Sequence, residues 1–148
     1  MRRNYIWLAL ALFGIGAAAC SSSTTGGTPA PASSCLAEVG ATSALVYPAN
    51  SAVGVPDNVG QVIIGSSTTF PAGWQIVLNG GGFLITSAGN LTPAPNPLPT
   101  PNTIPPFPNP IYQSGAFSPL PAGTAFQVSV NNTGSSCIPT VVGVFTTQ

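Results

Sequence analysis

Apolar and polar positions alternate most clearly in two segments, and both follow the same three residues. Pro71-Ala72-Gly73 precedes Trp74-Gln75-Ile76-Val77-Leu78, and Pro121-Ala122-Gly123 precedes Thr124-Ala125-Phe126-Gln127-Val128-Ser129-Val130. Proline presets one turn dihedral and glycine two places on accepts a positive φ, so each Pro-Ala-Gly predicts a tight turn feeding a strand. In the first strand Trp74, Ile76 and Leu78 share the inward face. In the second, Phe126, Val128 and Val130 point one way while Ala125, Gln127 and Ser129 point the other, as in a half-buried strand. Further strands are expected over residues 61–65, 82–87 and 140–146, with a short edge strand over 43–47 that Pro48 ends. Asn79-Gly80-Gly81-Gly82 predicts a hairpin connection. Residues 35–39 have room for one helical turn. Six or seven short strands at this spacing predict an all-β fold, a two-sheet sandwich. A small barrel is the alternative, since periodicity does not distinguish closure from stacking.

Residues 91–110 break the pattern with nine prolines in twenty positions. The alternation of Pro93, Pro95, Pro97, Pro99 and Pro101 argues against helix or central strand and favours polyproline II. A long proline-rich loop is therefore expected, with Ile104, Phe107, Ile111 and Tyr112 available to pack back over a sheet face. Loops this long inside a compact domain are uncommon, so the stretch is either a stiff surface cover or a recognition segment.

At the other extreme of polarity stands the run from Tyr5 to Ala19, apolar but for one or two positions and preceded by Arg2 and Arg3. A basic start, an apolar stretch shorter than the roughly 20 residues of a spanning helix, and a small-residue end read as an export signal over residues 1–19. The run ends in Ala17-Ala18-Ala19-Cys20, which resembles the lipobox of bacterial lipoprotein precursors. Ala17 stands where that family usually has Leu or Val, and the same small residues also fit ordinary cleavage after Ala19. The resemblance implies lipidation of Cys20, with acyl chains in a lipid bilayer and the protein held outside the inner membrane or at the outer membrane and cell surface. Each buried methylene contributes about 0.8 kcal/mol, so two or more chains anchor stably where one does not. Using Cys20 in this way leaves two of the three cysteines, Cys35 and Cys137. In an exported protein these are expected to form a disulfide, the alternative being two unpaired buried thiols. Residues 21–34, rich in Ser, Thr, Gly and Pro, lack any large apolar side chain. Residues 20–34 are accordingly expected to be a lipid anchor and flexible tether, and 35–148 a single domain.

Within that domain, Tyr47-Pro48-Ala49-Asn50-Ser51-Ala52-Val53-Gly54-Val55-Pro56-Asp57-Asn58 followed by Val62-Ile63-Ile64 resembles the opening of bacterial Ig-like domains. Leu120-Pro121-Ala122-Gly123-Thr124-Ala125-Phe126-Gln127-Val128 resembles a later strand of the same family, with Phe126 where tyrosine is usual. The resemblance implies an Ig-like sandwich, with the first segment as the turn between its first two strands. It also implies a corner at Phe126 held by packing alone, because phenylalanine has no hydroxyl to offer the backbone. Domains of this family are mostly stalks, spacers and adhesive modules.

Charge then narrows the chemistry. The chain has two basic and two acidic residues and no histidine; the bases are Arg2 and Arg3, the acids Glu38 and Asp57. Past the signal there is no cation to meet a phosphate, which disfavours nucleic acid as a partner. General acid–base or nucleophilic catalysis needs a positioned His, Lys or carboxylate. Two carboxylates nineteen positions apart are a thin basis for a glycosidase, and no spacing suggests a metal site. No catalytic residue and no cofactor are expected. A surface this poor in charge favours association. The expectation is a non-enzymatic, membrane-anchored structural or adhesive module, with self-association or a protein or glycan partner. The alternative is a carbohydrate- or peptide-binding lipoprotein using an exposed sheet face or the proline-rich loop.

Overall fold

The computed structural model describes residues 31–98 and 107–148; the expected export signal, Cys20 and most of the expected tether lie outside the described residues, as do Pro99, Pro101 and Ile104. Nine strands are present among the described residues, where six or seven were expected. With one helical turn, the elements in chain order are α1 (Cys35–Glu38), β1 (Ser43–Tyr47), β2 (Ala52–Val55), β3 (Gln61–Ser66), β4 (Trp74–Gly80), β5 (Phe83–Thr86), β6 (Ala88–Pro93), β7 (Ile111–Ala116), β8 (Ala125–Asn132) and β9 (Thr140–Thr147). They form two separate sheets rather than one closed barrel, ordered β1-β3-β7-β6 and β2-β9-β8-β4-β5. All pairings are antiparallel except that of β2 with β9.

The alternation read from the sequence holds where it was strongest. Trp74, Ile76 and Leu78 on β4 and Phe126, Val128 and Val130 on β8 are all buried. They face Leu45 of β1 and Val62 and Ile64 of β3 in one core. Full burial of such side chains contributes about 1.5–3 kcal/mol each, so this shared face dominates the stability of the sandwich. Both Pro-Ala-Gly turns are present, with Gly73 at φ +94° and Gly123 at φ +62°. The hairpin between β4 and β5 closes on Gly81 and Gly82, both at positive φ. Two successive positive-φ residues make a turn whose twist matches that of the flanking strands, which few residues other than glycine allow at both places.

The three strands missed were β2, β6 and β7. Strand β7 lies between β3 and β6, yet its sequence, Ile-Tyr-Gln-Ser-Gly-Ala, carries no apolar alternation. Its inward positions are Gln113 and Gly115. The buried Gln113 amide is satisfied by one backbone unit: its Oε1 accepts from the Phe70 N–H at 2.7 Å, and its Nε2 donates to the Phe70 carbonyl at 3.0 Å. Gly115 allows a close approach, since a Cβ there would fall 2.7 Å from Ser87 Cβ. Strand β6 corrects the expected extent of the proline-rich stretch. Leu91 is buried, Thr92 and Pro93 pair with Ser114 and Gln113, and the Ala94 N–H donates to the Tyr112 carbonyl at 3.0 Å. Pro93 is tolerated because β6 is an edge strand, where a missing N–H interrupts no second ladder. Of the side chains expected to fold back over a sheet, Phe107 and Tyr112 are half-buried and Ile111 is exposed.

The two sheets approach closely where β9 passes β1. A Cβ on Gly143 would lie 2.5 Å from Leu45 Cβ and 2.9 Å from Asn50 Oδ1. That Asn50 oxygen accepts from the Val144 N–H at 2.9 Å, so it is not free to retreat. Gly143→Ala gains about 0.4–1 kcal/mol from a stiffer unfolded chain but loses about 1–3 kcal/mol to overpacking. Overpacking wins. Thermal denaturation followed by circular dichroism should show a midpoint lower by roughly 4–8 °C; an unchanged or higher midpoint would contradict the packing described.

Candidate functional site

Three places were singled out by residue chemistry: the cysteines with Glu38, the corner at Phe126, and the aromatic side chains. The first is a built unit. Cys35 and Cys137 form a disulfide, with Cα atoms 4.9 Å apart across 102 residues of sequence. Cys35 opens α1, whose first turn is capped by the Ser34 hydroxyl accepting from the Ala37 N–H at 3.2 Å. Backbone bonds flank the bridge: the Cys35 N–H donates to Ile138 O and the Ile138 N–H to Ser33 O, each at 2.9 Å. Glu38 closes the group, its two carboxylate oxygens accepting from the hydroxyls of Ser33 at 3.2 Å and Ser135 at 2.8 Å. The Glu38 carboxylate thus ties the helical turn to the loop between β8 and β9.

Asp57 is nowhere near it. The Asp57 carbonyl accepts from the Leu120 N–H at 2.7 Å, and the neighbouring Val55 carbonyl accepts from the N–H of Gln148, just past β9. Glu38 therefore lies at the start of β9 and Asp57 at its finish. Eight strand residues span about 25 Å, whereas paired glycosidase carboxylates stand about 5–9.5 Å apart. The two acids do not flank one cleft. Among the described residues, no group of three or more His, Cys, Asp and Glu is placed to hold a metal ion. Burial pushes the Tyr112 phenol above its ordinary value of 10.0, so it stays protonated at neutral pH.

At the corner the structure corrects the expectation. Phe126 packs against Phe145, with ring centroids 5.8 Å apart, but packing is not alone there. The buried Thr147 hydroxyl accepts from the Thr124 N–H at 2.9 Å and donates to the Pro121 carbonyl at 2.7 Å. A threonine on β9 thus supplies the side-chain hydroxyl that the β8 residue lacks. Nothing in the local sequence around Phe126 points to a residue twenty-one positions away, which is why Thr147 was missed.

The aromatic residues offer little platform for stacking. Trp74 is buried and stacked on Phe70, with centroids 4.4 Å apart and planes 16° from parallel. It belongs to the core. The exposed aromatics among the described residues are Tyr47 and Phe83, on different sheets. On the outer face of the five-stranded sheet, cross-strand register places Leu84, Asn79, Gln127 and Val144 in one row and Thr86, Val77, Ser129 and Val141 in the next. That face carries no charge.

The chain matches no protein-family model, no curated protein and no solved structure.

Two outcomes test this account. Closing a loop of about 100 residues is worth up to about 4.7 kcal/mol through the unfolded chain. The double variant Cys35→Ala/Cys137→Ala should therefore melt well below the parent while keeping its far-ultraviolet β spectrum; an unchanged midpoint would deny the bond its stabilising role. Thr147→Val strands the Thr124 N–H and Pro121 carbonyl at a loss of about 1–3 kcal/mol, while Thr147→Ser should retain most of the stability. Equal melting of the two variants would show that the hydroxyl is not what holds the corner.

Proposed function

We propose that this chain is an exported, lipid-anchored, non-enzymatic module that presents an Ig-like sandwich outside the cytoplasmic membrane as a structural or adhesive unit. The observation that carries the proposal is the Cys35–Cys137 bond. It uses two of three cysteines and fits an oxidising compartment. The remaining one, Cys20, stands at the end of the signal-like run, where the resemblance to lipoprotein precursors calls for a lipidated cysteine.

Strand order supports the Ig-like reading. The first sheet, β1-β3-β7-β6, has the A-B-E-D arrangement, and β9-β8-β4-β5 corresponds to G-F-C with one added strand. The buried Trp74 lies on the strand equivalent to C, and Phe126 near the start of the strand equivalent to F. Strand β2 falls inside the segment read as a turn between the first two strands, and leaves the first sheet to run parallel to β9. The disulfide departs from the antibody pattern, bridging α1 and the loop before β9 rather than the strands equivalent to B and F.

The non-enzymatic part of the proposal is supported by the separation of Glu38 from Asp57 and by the lack of any cation past Arg3. A glycan-binding role loses its best platform with Trp74 in the core. For a peptide-binding role, the proline-rich stretch beyond Ala94 remains the segment to which polyproline recognition would apply.

The anchor is tested at Cys20. In the native host, the wild-type chain should fractionate with membranes, and its N-terminal peptide should carry the mass of acyl chains. Cys20→Ser should release the protein and remove that mass. An unmodified Cys20 at the N-terminus of the mature protein would refute the anchor.

A further inference from the structure

The two sheets have four edges, and three of them are obstructed. Strand β6 carries Pro93 and a register irregularity between Ala88 and Thr92, with Gly89 at φ +70°. Strand β2 has an irregularity between Ala52 and Val55, with Gly54 at φ +69°, and is followed by Pro56. Strand β1 has an irregularity between Leu45 and Tyr47 and stops at Pro48. Prolines, bulges and charges are the usual means of keeping an edge from pairing with another chain. Strand β5, Phe83-Leu84-Ile85-Thr86, has none of them. Its register against β4 is regular throughout, and Phe83 and Leu84 are 47% and 72% exposed.

The hairpin register shows which backbone groups are free. The closing pair Gly80–Phe83 of a two-residue turn is hydrogen-bonded, so Leu78–Ile85 is too, and the Ser87 N–H to Ile76 carbonyl bond at 2.9 Å continues the alternation. The N–H and C=O groups of Leu84 and Thr86 therefore point away from β4, and neither residue has another backbone hydrogen bond among the described residues.

We propose that this edge pairs with the β5 edge of a second copy of the chain, antiparallel about a two-fold axis at Ile85, joining two five-stranded sheets into one of ten. Two features of the molecule fit a second copy as the occupant. In this register Leu84 faces the partner's Thr86 and Thr86 the partner's Leu84. Each of these pairs exchanges two main-chain bonds, so the four unpaired groups on each strand are all satisfied at once. An identical strand is thus complementary with nothing left over, as a closed two-fold interface requires. Charge does not oppose it: both acids of the domain lie off this strand, Glu38 on α1 and Asp57 in the turn after β2, and there is no cation near it that would select an acidic partner. This inference extends the reading of the domain as an assembling module but does not require the lipid anchor, so each can fail alone.

The test uses the full chain purified in mild detergent from whichever cell fraction holds it. Directly opposed residues that do not exchange hydrogen bonds have Cα atoms about 4.5 Å apart, within disulfide reach. Ile85→Cys should give a disulfide-linked dimer on non-reducing gels, whereas Val53→Cys on the opposite edge should not. Sedimentation should show a wild-type dimer and a Leu84→Lys monomer that keeps its far-ultraviolet β spectrum, because Leu84 is largely exposed, while the wild-type melting midpoint, unlike the variant's, rises with protein concentration. A wild-type monomer at the highest attainable concentration would overturn the proposal. So would cross-linking of Ile85→Cys no stronger than that of Val53→Cys, or a Leu84→Lys dimer. Dimerisation abolished by Val144→Lys but not by Leu84→Lys would place the interface on the sheet face instead and refute edge pairing.

Discussion

Almost everything in this domain follows from having to fold without ion pairs. With no cation past Arg3, neither acid can be neutralised by a partner, and no salt bridge can fix a corner or a strand edge. What remains is apolar burial, neutral hydrogen bonding and one covalent link. The structure uses each where the others fail. Between the sheets, Trp74, Phe126, Phe145 and the aliphatic residues of β3, β4 and β8 supply the burial. Where polar side chains must enter that space, they are satisfied in full: no buried side-chain nitrogen or oxygen among the described residues lacks a partner. Gln113 on Phe70 and Thr147 on Thr124 and Pro121 show the form this takes, with side chains pairing to backbone rather than to each other. An unpaired buried polar group costs about 1–3 kcal/mol, so a domain without strong ionic contacts has little margin to leave one.

The disulfide acts where burial is weakest. Near α1 the chain has only Cys35, Leu36 and Ala41 to contribute to the core, and the loop leading to β9 contributes Cys137 alone. A four-residue helix has too few hydrogen bonds to hold itself in water. The covalent bridge, the two backbone bonds beside it and the Glu38 carboxylate fasten this otherwise thin end to the sandwich. Glu38 is thereby accounted for as a neutral-hydroxyl acceptor, a role any solvent-facing carboxylate can fill without chemistry.

The parts of the fold legible in the sequence were those written in side-chain alternation or in glycine and proline. Strands β4 and β8, the two Pro-Ala-Gly turns and the glycine hairpin all belong to that class. Strand β7 was illegible because its inward positions are an amide and a glycine, chosen by contacts with Phe70 and Ser87 that lie far off in sequence. Its boundaries alone, Pro110 before and Phe117-Ser118-Pro119 after, carried a signal. Strand β6 was hidden for the opposite reason: proline usually argues against a strand, and only knowledge that β6 is an edge removes the objection. Thr147 could be found only once β9 was known to end beside Pro121. Local pattern therefore located the core, while the polar contacts that complete it depend on which strands become neighbours.

The same shortage of charge sets the terms on which the domain can meet others. Lysine is the commonest guard of an exposed strand edge, and this chain has none to place there. Protection then has to come from backbone irregularity, and prolines, bulges or positive-φ glycines mark β1, β2 and β6. Each of these devices interrupts the ladder it protects, and it is tolerated because an edge strand has only one ladder to lose. Strand β5 differs because its hairpin turn demands regular pairing from the first bond: a bulge between Phe83 and Thr86 would throw Ile85 out of register and off the core, where it now packs beside Leu78. The constraint that places Ile85 inside thus leaves Leu84 and Thr86 with ordered, outward-facing backbone groups. A domain with no lysine or arginine to place on β5, and with β5 held regular by its hairpin, leaves that edge unguarded, and pairing is the one remaining way to satisfy it without water.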